Sequence, residues 1–151
     1  MNYIIDGYNL IGKLNSISLS DKQKEDKCIS YLQNLPTKPK DRFLCVFDGK
    51  CKYSEYKSVH DYAFITVVFT DPEQTADSYI INYCAQKKDK SNIIGVSSDN
   101  EILYRLRKLR IKTFSCLEFV SYFNSFQTNN YENHESYLND KDLDFWLNEF
   151  T

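Results

Sequence analysis

Short apolar runs alternate with helical patterns along most of this chain, and this alternation constrains the fold more than any other feature. Strands are predicted at about 2–5, 43–47, 64–69, 93–97 and 111–114. Strands that alternate with helices are typical of strand–helix–strand units, whose strands pair in parallel. We therefore predict an α/β fold with a central, mostly parallel five-stranded sheet.

Four predicted helices begin at residues that suit a helix N-terminus. The residue pairs that mark these starts are Ser20 with Gln23, Asp71 with Gln74, Ser98 with Glu101, and Ser115 with Glu118. Side chains of these types satisfy the backbone N–H groups that a first helical turn leaves without partners. The helices are predicted over 24–35 and 75–88, from residue 98 to 109, and over 119–126.

The length and the composition suit one compact domain followed by a short tail. The chain has 151 residues, of which 42% are hydrophobic, enough for a substantial core. We assign the domain to residues 1–126. Residues 127–139 are polar and without pattern, and predict a linker. In the last segment, 140–151, an apolar stripe at helical spacing predicts an amphipathic helix. The stripe consists of Leu143, Trp146, Leu147 and Phe150.

Four aspartates are expected to gather at one edge of the predicted sheet. Asp6, Asp48 and Asp99 follow strands, and Asp77 lies in the helix after the third strand. Ligands of open α/β sheets bind outside the carboxyl ends of the strands. Carboxylates that converge there repel one another unless protons or cations intervene, and carboxylates are preferred ligands of hard cations. This pattern indicates a site for Mg²⁺ or Mn²⁺.

Each acidic position also has an ordinary structural interpretation. Asp6-Gly7-Tyr8-Asn9 and Asp48-Gly49 suit tight turns after strands. Asp77 and Asp99 lie near helix N-termini, where the helix dipole favours acids. The functional interpretation is favoured for Asp77, because its helical position lies beside the face that should dock on the sheet. Asn9 and Ser98 are candidates to orient water or phosphate.

Basic and aromatic residues are interleaved just after Asp48. Among them, Lys50, Lys52 and Tyr53 suit contacts to phosphates and stacking on bases of a single-stranded nucleic acid. A second basic group, at 105–112, is better interpreted as a solvated face. The net charge of −2 means that no basic field over the whole molecule indicates a nucleic-acid partner, so any RNA contact must be local.

Several classes of protein are disfavoured. The chain has four glycines and neither a dinucleotide-binding GxGxxG nor a phosphate-binding GxxxxGK[ST]. His60 and His134 have no zinc-like spacing with any of the five cysteines, which suit a reduced core in the cytoplasm. A serine or cysteine nucleophile lacks a suitably placed histidine. We expect no signal peptide and no membrane span.

Four stretches in the same order resemble the YacP-like NYN domain of the PIN-like nuclease superfamily. They are residues 3–12, 46–49, 75–80 and 97–99, and the resemblance extends from residue 2 to about 125. The end of the chain, 143–150, is similar to a C-terminal segment that several members carry. The resemblance implies a three-layer α/β/α fold, Mg²⁺ or Mn²⁺ bound by acidic residues, and cleavage of RNA. Some members cut messenger RNA, in one case in association with ribosomes.

The resemblance also implies roles for individual residues. Asp6, Asp77 and Asp99 match the acidic motif positions, Asn9 matches the motif asparagine, and Asp48 matches a frequent acid after the second strand. Low overall basicity and the loop after Asp48 depart from the pattern.

Three functional hypotheses follow. The first is a cytoplasmic metal-dependent endoribonuclease acting on single-stranded or messenger RNA, in which Lys50 and Lys52 contact the backbone. The second is a non-catalytic RNA- or ribosome-binding module on the same scaffold, which the low basicity motivates. The third, a phosphohydrolase of the aspartyl-phosphate type, ranks last because Tyr8 stands where a second aspartate is usual. The C-terminal stripe is expected to pack on its own domain or, alternatively, to dock on a neighbouring subunit or partner.

Overall fold

A computed structural model of the chain describes residues 1–49 and 58–132, with the backbone alone for 127–132. Its strands are β1 (Asn2–Asp6), β2 (Arg42–Phe47), β3 (Ser58–Tyr62), β4 (Ile65–Phe69), β5 (Ile93–Val96) and β6 (Lys112–Phe114). Its helices are α1 (Gly7–Lys13), α2 (Lys24–Gln33), α3 (Ala76–Gln86), α4 (Asn100–Lys108) and α5 (Cys116–Glu132).

One mixed sheet carries the fold, with the strand order β3-β4-β2-β1-β5-β6. Neighbouring strands are parallel throughout, except that β3 runs antiparallel to β4. From β1 the chain first extends the sheet through β2 to β4, and then returns to add β5 and β6 on the other side. The strand order therefore reverses at β1, and this switch point is where open α/β sheets place a ligand crevice.

Helices cover both faces of the sheet, so the predicted α/β fold and its α/β/α layering are confirmed. On one face, the side chains of α2 and α5 join an aromatic-rich core that includes Tyr3, Phe43 and Phe119. On the other, α3 and α4 pack over an aliphatic core that includes Ile4, Val46 and Leu106. The strands alternate between the two cores because successive side chains of a strand point to opposite faces.

The sheet has six strands rather than the predicted five. The missed strand, β3, is an exposed edge strand with the polar sequence Ser-Val-His-Asp-Tyr, so it lacks the apolar run that marks a buried strand. It joins β4 through a two-residue turn in which Ala63 has φ = 55°. A turn residue with positive φ is usually Gly, Asn or Asp, so the alanine at position 63 did not indicate this turn in the sequence.

Of the four predicted pairs of helix-capping residues, one caps its helix as predicted. Ser115 and Glu118 form the predicted capping box: each side chain accepts a hydrogen bond from the other residue's backbone N–H, at 3.2 and 3.1 Å. For α2, the N-cap residue is Gln23, whose side chain makes no capping hydrogen bond, and the Ser20 hydroxyl contacts Ser18 instead. Several adjacent polar residues could cap α3 or α4. The N-cap of α3 is Thr75 rather than Asp71, and the N-cap of α4 is Asp99 rather than Ser98.

The predicted linker starts too early. Helix α5 runs to Glu132, six residues beyond its predicted end. No glycine or proline follows Cys116, and extending an established helix costs little even through polar residues. The rest of the linker and the C-terminal helix at 140–151 lie outside the described residues. Over the described part of the chain, no helix has the length and apolar character needed to cross a membrane.

Candidate functional site

Asp6 is a buried carboxylate at the end of the central strand, with 3% of its surface exposed. Strand β1 lies between β2 and β5, and β1 gives way to α1 directly after Asp6. The turn is tight because Gly7 lies against Phe47: a Cβ at position 7 would come within 3.0 Å of the Phe47 ring. Packing by Phe47 thus fixes the backbone that presents Asp6 to the crevice.

Two polar side chains hold the Asp6 carboxylate in one orientation. Asn9 donates from Nδ2 to Oδ2 at 2.8 Å, and the Ser97 hydroxyl donates to the same oxygen at 3.2 Å. Ser97 follows β5, and its hydroxyl also accepts from the backbone N–H of Asp99 at 3.1 Å. Both side-chain donors use Oδ2, so Oδ1 is the Asp6 oxygen that neither of them occupies.

The four predicted aspartates gather at one edge of the sheet and repel one another. Burial, followed by the charge on Asp77 and then on Asp99, raises the pKa of Asp6 to about 6, against the stabilising effect of its Ser97 and Asn9 hydrogen bonds. Burial raises the pKa of Asp77 as well, together with the charges of Asp99 and Asp48, while nearby Arg105 opposes the shift. This mutual repulsion is the electrostatic setting in which a bound cation is stabilised.

The four acids differ in how their carboxylates are engaged. Asp99 caps α4 by accepting from the Glu101 N–H at 2.9 Å through Oδ1. Asp77 is half-buried in the first turn of α3. Asp48 is exposed, and its Oδ1 accepts from the Gly49 N–H at 2.8 Å. Ordinary turn and capping roles therefore exist for Asp48 and Asp99, whereas burial with like charges sets Asp6 apart.

Among the side chains that the structure describes, in residues 1–49 and 58–126, no three from histidine, cysteine or acidic residues lie close enough to share a metal ion. The donor set nevertheless suits a hard divalent cation, because every contributing group is a carboxylate and Asp6 is destabilised by uncompensated negative charge. Asp77 and Asp99, both half-buried, are the acids whose charges act on Asp6, and they are therefore the candidates to share an ion with it.

Other predicted site residues have mixed outcomes. The Ser98 hydroxyl lies near the buried thiol of Cys116 and opposes the rise that burial causes in the pKa of that thiol, whereas the Asp6 contact is made by its neighbour Ser97. Lys50, Lys52 and Tyr53 lie outside the described residues. Sequence reasoning left Arg105 in a solvated group, although its charge acts on Asp77. Its place on α4, six residues or nearly two turns after Asp99, is the sequence signal that could have revealed it.

The raised pKa of Asp6 makes the stability of the metal-free protein depend on pH. An acid with an ordinary pKa of 3.8 that rises to about 6 on folding binds its proton more tightly in the folded state. Its contribution to stability is therefore most favourable below pH 4 and is lost as the pH rises through 6. The loss amounts to about 3 kcal/mol above pH 7.

Urea unfolding at pH 4 to 8 in the presence of a chelator measures this effect as the difference between wild type and Asp6→Asn. We expect the variant to gain stability relative to wild type as the pH rises. A difference that stays constant across this range would contradict the electrostatic description of Asp6.

A three-layer α/β/α domain with carboxylates at the switch point of its sheet has the architecture of the PIN-like nuclease class. The model of the YacP-like NYN domain family matches residues 3–146, and the chain therefore belongs to this family. Membership makes it a nuclease-type domain with an RNA-related role, and nucleases of this family generally depend on divalent metal ions.

Solved structures with the same fold include two crystal structures of Rae1 (YacP) from Bacillus subtilis. The wild-type protein and a single-substitution mutant align with TM-scores of 0.66 and 0.67. Both are 19% identical to this chain and cover 87% of it, while the alignments cover 78% and 79% of their own chains. No curated protein matches the chain in sequence.

Proposed function

We propose that this protein is a metal-dependent endoribonuclease that hydrolyses phosphodiester bonds of single-stranded RNA. The observation that carries the proposal is the environment of Asp6: a buried carboxylate at the sheet's switch point, oriented by two donors and repelled by Asp77 and Asp99. Structural carboxylates are normally paired with cations or neutralised, and perturbed acids in a crevice are typical of functional sites.

In this proposal Asp6, Asp77 and Asp99 hold one or two Mg²⁺ or Mn²⁺ ions, with Asp48 at the periphery. The bound metal supplies an activated water and charge stabilisation at the scissile phosphate. Asn9 and Ser97 keep the Asp6 carboxylate in its binding orientation. Lys50, Lys52, Tyr53 and Ser98 remain predictions for contacts with the RNA.

The biological setting is a further part of the proposal. As the resemblance to the YacP-like NYN family implies, we extend the proposal to a cytoplasmic enzyme that cuts messenger RNA in a ribosome-associated setting. A reconstituted translation reaction tests this setting, since cleavage of a reporter messenger RNA should then require ribosomes engaged on that RNA. Equal cleavage of the naked transcript would count against ribosome association.

A non-catalytic RNA- or ribosome-binding module is the second candidate. Two observations favour it: the net charge of −2, and the spacing of the acids in the described part of the chain, where no three are positioned around one ion. A binding module needs no metal, so the two candidates differ in a measurable property.

Calorimetric titration with Mn²⁺, followed by an RNA cleavage assay with and without the ion, separates the candidates. The nuclease predicts saturable Mn²⁺ binding and cleavage of a single-stranded RNA that stops when the ion is chelated. Binding of RNA without Mn²⁺ binding and without cleavage would establish the second candidate instead.

A further inference from the structure

A cavity of about 470 Å³ opens beside the acidic site. Its volume lies within the roughly 300–1,000 Å³ range of small-ligand pockets. It shares Asp48 with the acidic edge, and Tyr8 in its wall is the neighbour of Asn9, which bonds Asp6. The lining residues are Tyr8, Leu19, Lys24, Glu25, Asp48, Gly49 and Pro72. A ligand in this cavity would therefore lie on the Asp48 side of the acidic edge.

One wall of the cavity is preformed by close backbone packing. Gly49 lies so near the backbone of Thr70 and Asp71 that a Cβ could not be accommodated there. The Thr70 hydroxyl donates to the Gln74 carbonyl at 2.7 Å, and the Gln74 N–H donates to the Asp71 carbonyl at 2.9 Å. These contacts hold Pro72 at the rim before any ligand arrives, as is usual for small-molecule sites.

Among the described residues that line it, the cavity combines apolar surface with one cation, Lys24, and two carboxylates, Glu25 and Asp48. Leu19 is 54% exposed although it is a large aliphatic residue, and it lies 3.7 Å from the position of a Cβ on Gly12. The Tyr8 ring packs on Phe47 with a centroid distance of 4.9 Å, and the Lys24 ammonium lies 5.7 Å from the Tyr8 centroid. Aromatic and aliphatic faces with a nearby lysine suit a planar base attached to a phosphate.

Glu25 supplies a polar group that can discriminate between bases. Its Oε1 accepts the Tyr8 hydroxyl at 2.8 Å and lies 3.6 Å from the Lys24 ammonium. Neither of these contacts uses Oε2, which among the described residues is thus the oxygen left to accept from a ligand. A carboxylate accepts from the exocyclic amino groups of cytosine and, by the same chemistry, of guanine and adenine. Uracil has no amino group to offer.

We propose that this cavity, which we call the Tyr8 pocket, binds the base of a nucleotide flanking the scissile phosphate and prefers a base with an exocyclic amino group to uracil. The inference rests on the proposed RNA-cleaving function and adds a base-recognition subsite to it. In the bound state, Glu25 accepts from the amino group, Leu19 and Pro72 cover the base, and Lys24 contacts the attached phosphate.

Binding of four mononucleotides to the full chain tests the pocket without any need for catalysis. GMP, AMP and CMP are expected to bind roughly tenfold more tightly than UMP. In Glu25→Gln, whose amide both donates and accepts, this preference should fall to within about twofold. Asp26→Asn is the matched control, because Asp26 is an exposed acid in the same first turn of α2 that does not line the pocket.

A second pair of variants tests the apolar wall. Leu19→Ala should weaken binding of all four nucleotides several-fold, whereas Leu117→Ala, which truncates an equally exposed leucine on α5, should not. Equal affinity for UMP and the other three, or unchanged binding in both Glu25→Gln and Leu19→Ala, would overturn the proposal.

Cleavage-site mapping on RNA then separates this inference from the proposed function. Wild type should show an underrepresentation of uracil at one position beside the cut, and Glu25→Gln should lose it. RNA cleavage with no base preference would refute the pocket while supporting the nuclease. Selective nucleotide binding without RNA cleavage would refute the nuclease while supporting the pocket.

Discussion

Replacing Asp6 by Asn is expected to reduce Mn²⁺-dependent cleavage of single-stranded RNA by about a thousandfold or more. The proposed metal site has Asp6 as its one fully buried carboxylate, and transition-state stabilisation by a bound metal is worth several kcal/mol. Single-turnover cleavage of a labelled RNA, with protein in excess, measures the loss.

The variant should remain folded, because Asn can still accept from Asn9 and Ser97 at this position. Circular dichroism and the urea midpoint at pH 7.5 verify this, and the midpoint of the metal-free variant should exceed that of wild type. Asp89→Asn is the control: Asp89 precedes β5 at the opposite edge of the sheet, and its loss should leave cleavage unchanged. Undiminished activity in folded Asp6→Asn would remove the basis for the nuclease assignment.

Replacing Phe43 by Ala is expected to destabilise the fold by about 3–5 kcal/mol. Phe43 is 1% exposed on β2, and its ring lies 5.3 Å from Tyr3, 6.0 Å from Phe119 and 5.8 Å from Phe123, measured between centroids. Truncation would leave a cavity where strand and α5 side chains meet. For a domain of this size the loss corresponds to a fall in Tm of roughly 10 °C.

Thermal and urea unfolding of the variant measure this effect. Tyr104→Ala provides an aromatic control, since Tyr104 is 56% exposed on α4 and its removal should change stability by no more than about 0.5 kcal/mol. A loss below about 1 kcal/mol for Phe43→Ala would show that the aromatic core can repack around the missing ring.

Local patterns in the sequence anticipated the features that depend on neighbouring residues. Parallel strands appeared as short apolar runs because both of their faces are buried. The Ser115–Glu118 capping box depends on two residues three positions apart, so it could be predicted from the sequence. The edge strand β3 was missed because a strand with an exposed, polar sequence has no comparable signal.

Capping shows a more subtle limit of sequence reasoning. At 71–75 and again at 97–99 several polar residues compete to cap one helix, and propensity alone does not choose among them. The structure assigns Asp99 to α4, and this leaves the Ser97 hydroxyl to bond Asp6. The choice depends on where β5 ends relative to β1, which is a tertiary relation.

By itself, the sequence determined the α/β architecture, the family and the set of four aspartates, because each of these depends on periodicity or on short motifs along the chain. Only the tertiary structure decided how those aspartates differ. Strand pairing places Ser97, 91 residues away in the chain, on the Asp6 carboxylate, and packing of α3 and α4 brings the charges of Asp77 and Asp99 to bear on it. Burial and repulsion depend on distances in space, so no spacing along the chain could have revealed that Asp6 is the acid buried among like charges.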